Sequence, residues 1–249
     1  MTRTLLLRGM LVGLVAGLLV FAFARWTGES QVDKAIAFES QIELAKGEPA
    51  EPEMVSRKIQ KSFGLLTGAV VYGTALGGIF GLFFAYARGR LSFARPRVLA
   101  SILAAFGFVT IVLVPSLKYP ANPPSVGNPE TIGMRTGAYF LLIAISVTAM
   151  ILAVKAKRGW SNSLGSWNAS LLAAALFLVL VCVTSHFLPS VDEVPPGFPA
   201  SLLWKFRIAA WEVQAVLWSA LGLLFGWLTE REEGMQSARR QLSSVDQTP

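Results

Sequence analysis

Long apolar stretches that are almost free of charge alternate with shorter polar ones along the chain. Six stretches stand out: Leu5–Ala24, Phe63–Ala87, Val98–Val114, Gly137–Val154, Ala169–Phe187 and Ile208–Leu228. Each is apolar without a break rather than at every second residue, which selects helices over strands. At about 17 to 25 residues, a helix made from any of them can cross a hydrocarbon core of about 30 Å. The pattern predicts an all-α integral membrane protein of about six transmembrane helices, paired as three hairpins with proline-rich outer loops. It also predicts a single transmembrane domain over residues 1–230, followed by a polar, disordered cytoplasmic tail over 231–249.

The composition agrees with this pattern. Of the 249 residues, 53% are hydrophobic and 15% charged, and the charges gather between the apolar runs. Their sign gives an orientation. The connections after the second and fourth runs hold Arg88, Arg90, Arg95, Arg97, Lys155, Lys157 and Arg158. Those after the third and fifth hold only Lys118, Arg135, Lys205 and Arg207. The more basic side is read as cytoplasmic, which leaves both termini inside, in keeping with Arg3, Arg8, Arg231, Arg239 and Arg240. The net charge of +7 follows from this asymmetry and not from a nucleic-acid footprint. The first run has a signal-peptide reading too, with its basic start and its Ala22-Phe23-Ala24 end. Its length and the small residues at Gly9, Gly13 and Gly17 favour a retained helix. The lone Cys182 excludes an internal disulfide and any CxxC motif.

The three outward connections differ. The first, residues 25–62, is long and acidic; Val32, Ile36, Phe38, Ile42 and Leu44 recur at roughly helical intervals, so an amphipathic helix ending near Gly47 is expected before the turn "EPAEPE". The other two resemble each other. "VPSLKYPANPPSVGNPETIGMRTGAY" and "LPSVDEVPPGFPASLLWKFRIAAW" both start with a Pro-Ser pair and are rich in further prolines. Both place an arginine four residues before an aromatic, Arg135 before Tyr139 and Arg207 before Trp211. Prolines restrict themselves and the preceding residue, so both loops should be stiff. Glycines four apart (Gly64/Gly68, Gly73/Gly77/Gly81, Gly222/Gly226) are read as close-packing helix faces.

No P-loop, dinucleotide fingerprint, HExxH or nucleophile elbow is present, and no enzymatic activity is expected. The remaining polar groups gather toward the outer helix ends. Cys182 and His186 lie four apart on one helical face, followed by Asp192 and Glu193; Glu130 lies in the other proline-rich loop, and Glu212 early in the sixth apolar run. An ionisable residue inside an apolar run is costly and therefore a functional candidate. Imidazole and carboxylate groups suit a divalent first-row ion, so His186, Asp192, Glu193, Glu212, Glu130 and Cys182 are the candidate metal-binding residues. A complete ligand set is not visible; water or a second subunit would have to complete it. Arg135, Arg207 and Lys118 are read as orienting the loops, because a cation repels them.

The two proline-rich segments, with "LLLRGMLVGLVAGLLVFAFARWTGE" at the start, resemble the CbtA family of predicted cobalt transporter subunits over nearly the whole chain to about residue 230. The resemblance implies a multi-pass protein of the bacterial inner membrane that takes part in cobalt uptake. It implies membrane lipid as surroundings, a small single-helix CbtB-like partner bearing histidines, and cobalt(II) as transported ion with no permanently bound cofactor. In "VDEVPPGF", Asp192 replaces the more familiar asparagine. The competing reading is a non-transporting membrane scaffold whose rigid outer loops dock a partner protein.

Overall fold

The computed structural model describes residues 2–47, 54–91 and 95–245. Among the described residues all regular structure is helical. Helix α1 is Thr2–Thr27 and α2 is Glu29–Lys46. Helix α3 is Arg57–Arg88 and α4 is Pro96–Lys118. The run Ile132–Phe187 is continuous in hydrogen bonding but broken at Gly165, which separates α5 (residues 132–164) from α6 (residues 166–187). Helix α7 is Ala200–Val245. At Gly165 φ is 75° and ψ 159°, a backbone region open essentially to glycine alone. Among the described residues five helices are long and apolar enough to cross a membrane, Pro129–Phe187 counting once. The break at Gly165 turns that one into two, so each of the six apolar runs has its helix.

Two local departures from regular α-helix follow the chemistry of the chain. A widened π-turn, Phe108–Leu113, lies directly before Pro115 in α4. Proline has no N–H to give to the preceding turn and its ring crowds a carbonyl there, so the ladder relaxes ahead of it. The acidic helix of the first connection forms as far as Lys46 and is capped by Gly47 at φ 71°, the left-handed stop common at helix C-termini. The expected turn "EPAEPE" lies outside the described residues.

Beyond the last apolar run helix α7 continues through polar sequence to Val245. Glu, Arg, Gln and Ala are good helix formers, and Glu232 and Glu233 are tied by ion pairs to other helices. Residues 246–249 lie outside the described residues.

The chain forms two compact units. The first comprises Met1–Arg25, Glu53–Ala105 and Val213–Pro249. Here α1 and α3 meet along facing glycines: a Cβ on Gly73 would lie 3.0 Å from the Gly17 Cα, and one on Gly77 would lie 2.7 Å from the Gly13 Cα. Helix α7 meets α4 in the same way, a Cβ on Gly226 falling 2.9 Å from the Arg97 Cα. Phe225 packs edge-on against Phe80 and Phe84 at 5.4 and 4.9 Å between centroids. One end of the unit is fastened by charge. Buried Arg8 donates to Thr229 Oγ1 at 2.8 Å and pairs with Glu232. Arg88 pairs with Glu233 at 2.6 Å and Arg97 with Glu230 at 2.7 Å.

The second unit comprises Trp26–Pro52 and Phe106–Glu212. Its apolar core includes Val114, Leu142, Ala149, Ala173 and Phe177. Within it Ser146, fully buried, donates its hydroxyl to the Thr110 carbonyl in the π-turn. That contact gives a buried polar group its partner where the helix ladder has been loosened.

Candidate functional site

Nearly all the polar residues singled out from the sequence belong to the second unit, where its two proline-rich loops come together. The loops repeat one local structure. In each, two successive prolines lead into a β-turn: the Val126 N–H donates to the Pro123 carbonyl and the Phe198 N–H to the Pro195 carbonyl, both at 3.2 Å. The second turn position is Pro124 or Pro196. The third is Ser125 at φ 70° or Gly197 at φ 83°. Proline there followed by a positive φ is the pattern of a type II turn. The closing residues, Val126 and Phe198, are both buried and join Ala35 and Leu202 in one apolar cluster. Phe38 of α2 meets Phe198 edge-on at 5.0 Å between centroids. The acidic helix and both loops therefore share a small core of their own.

Polar contacts then latch loop to loop. The Tyr119 hydroxyl donates to the Pro189 carbonyl at 2.9 Å. The Trp211 indole N–H donates to Ser116 Oγ at 2.8 Å, and Arg207 donates to Asn122 Oδ1 at 3.2 Å. Glu193 carries the densest set. Its carboxylate accepts from the Asn128 N–H at 2.8 Å and from the Thr131 hydroxyl, and pairs with Arg135 at 3.3 Å. The Thr131 hydrogen bond foremost, helped by the Asn128 N–H and the Arg135 charge, holds this carboxyl below its ordinary value against the opposing effect of burial. Gly127 lets the backbone come close to Arg135: a Cβ there would meet the guanidinium at 3.0 Å.

The other candidates are placed differently. Asp192 is exposed beside Glu193 and acts electrostatically on Arg207. Glu130 is exposed, between Asn128 and Thr131, the two residues that hold Glu193. Asp192 and Glu130 thus flank one latch from opposite loops. His186 and Cys182 are both exposed on α6, the imidazole edge-on to Phe187 at 5.5 Å. Glu212 is exposed on α7, and Arg207 reaches Asn122 rather than this carboxylate. Lys118 is half-buried at the end of α4. Among the described residues, no three His, Cys, Asp or Glu side chains converge to hold a metal ion.

Sequence reasoning missed two polar features. Ser146 with Thr110 gives no signal beyond a hydroxyl in an apolar run. Arg8 was counted as a topogenic charge, but it is buried against Thr229 and Glu232. The cluster of acids at 230, 232 and 233, close to the end of the last apolar run, was the available clue.

A family model described as "Probable cobalt transporter subunit (CbtA)" matches residues 2–230. The chain belongs to the CbtA family. Comparison with curated proteins and with solved structures returns no match. Membership covers both loops, the latch and all six apolar runs. With the long apolar helices, it makes this a multi-pass membrane protein of a family described as probable cobalt transporter subunits.

Proposed function

We propose that the chain is the membrane-embedded subunit of a cobalt uptake system in the bacterial inner membrane, acting with a small single-helix, histidine-bearing partner. The observation that carries the reading is the family match over residues 2–230. Both termini lie in the cytoplasm, by the basic residues of the second and fourth connections together with those of the termini. The latched loops then face outward. There Asp192 and Glu130, exposed on either side of the latch, and His186 on α6 are free to meet a hydrated divalent cation. Glu193 is already occupied by Thr131, Asn128 and Arg135. Its part is to fix the distance between the loops that carry Asp192 and Glu130, with Arg135 and Arg207 holding the same loops in register. Cobalt(II) is cargo in this account, and carboxylate and imidazole suit it.

One observation favours a second reading. Among the described residues no three candidate ligands converge, which a scaffold with rigid partner-docking loops explains without any cation. The two readings differ on the exposed acids. Asp192→Ala combined with Glu130→Ala, and separately His186→Ala, should lower cobalt accumulation several-fold if these groups handle the ion. Unchanged accumulation in both variants, with normal membrane amounts of protein, would favour the scaffold.

A further inference from the structure

One charge in the second unit is left unanswered by the fold. Ser201, Lys205, Ile208 and Glu212 follow one another at intervals of four, three and four on α7, and so share a helix face. Ser201, Lys205 and Glu212 are exposed. Buried Leu202 and Ala209 lie off this face, as do Arg207 and Trp211, which are tied to Asn122 and Ser116. The helix therefore packs inward by one side and turns this polar side outward. Trp204 is 62% exposed, as an indole at the edge of a bilayer would be. Glu212 follows eight residues later, about 12 Å deeper along the helix, within a span apolar enough to cross a membrane. Among the described residues its carboxylate makes no ion pair or hydrogen bond.

A carboxylate turned toward acyl chains is costly and is retained where another group answers it. A second copy of this chain fits poorly. A two-fold axis along the membrane normal would set Glu212 against Glu212 and Lys205 against Lys205, and like charges in contact oppose association. We propose that this face docks a transmembrane helix of a different protein, which presents a lysine, arginine or histidine at the depth of Glu212 and an acceptor near Lys205. The inference rests on the reading of the chain as a subunit, and is independent of cobalt as the cargo.

The test is photo-crosslinking in native membranes from a benzophenone amino acid placed at Ile208 of the full chain. The expected product is an adduct with one other protein, joined through an apolar helix that carries a lysine, arginine or histidine. Glu212→Lys should cut its yield at least tenfold, and exchanging the partner's cation for glutamate should restore it. Glu212→Leu, which cannot impair membrane insertion, should also lose most of the adduct. An adduct of twice this chain's mass, lipid adducts alone, or a yield unchanged by Glu212→Leu would overturn the proposal. The readout involves no metal, so an intact adduct without any chain-dependent cobalt uptake refutes only the transport reading, and chain-dependent uptake without the adduct refutes only the docking face.

Discussion

Replacing Gly77 by alanine adds one methyl group where α1 and α3 are in backbone contact. That methyl would lie 2.7 Å from the Gly13 Cα and against the Gly9 carbonyl. Carbon atoms rest at about 3.5 Å or more, so the helices must part by about 0.8 Å at this level. Neither obstacle is a side chain that can rotate away. A shift of that size also strains the neighbouring contacts of Gly73 with Gly17 and of Gly81 with Leu5, and weakens any Cα–H···O contacts along the seam. Overpacking of this kind costs about 1–3 kcal/mol. Gly68, on the same helix, has nothing within 4 Å of an added Cβ. Gly68→Ala should therefore be neutral, or stabilising by up to about 1 kcal/mol through helix propensity. Thermal unfolding of the detergent-solubilised protein reads the difference, at about 2–4 °C per kcal/mol for a chain of this length. Equal melting temperatures for Gly77→Ala and Gly68→Ala would refute the tight α1–α3 seam.

Three further outcomes follow from the polar contacts and turns. Because the Glu193 carboxyl titrates below its ordinary value, its contribution is present above about pH 4.3 and lost as pH falls through its lowered value. Hydrogen exchange in residues 119–131 and 188–199 should accelerate in that acid range, and Glu193→Gln should flatten the dependence. Arg8→Met removes a charged donor from buried Thr229 and from Glu232 and should destabilise by about 1.5–3 kcal/mol. A double-mutant cycle with Thr229→Val should return a coupling of about 0.5–3 kcal/mol. Gly197→Ala places a Cβ at φ 83° and should lower the melting temperature by the equivalent of about 1–2 kcal/mol, without altering membrane insertion.

The membrane helices were legible because hydrophobic burial in a bilayer demands one signal, an uninterrupted apolar run of sufficient length. Glycine spacing was legible only as a possibility. Gly64/Gly68 and Gly73/Gly77/Gly81 have the same intervals, yet a Cβ on Gly68 would stand in open space while one on Gly77 would strike backbone. Which face meets a neighbour is a tertiary fact. The two loops were recognised as alike from their Pro-Ser pairs, but the closer likeness is between "PPSV" and "PPGF", whose turns bury Val126 and Phe198 in one cluster. Ser125 hid this likeness, because serine does not advertise a positive φ as glycine does. The candidate ligands were selected by residue type and depth, which identify costly groups without pairing them. Glu193 was chosen as a ligand in this way and is held in a loop-to-loop latch, while Glu212 kept no partner within its own unit. After the last apolar run polarity by itself gives no helix signal, while in the fold α7 continues to Val245 and Glu232 and Glu233 form ion pairs.

The most direct test is cobalt accumulation in cells that lack other cobalt importers, with this chain and its small partner expressed together, singly or not at all. The account predicts accumulation that depends on this chain and is fullest when both are present. Background accumulation under every condition, with both proteins correctly inserted in the membrane, would contradict it.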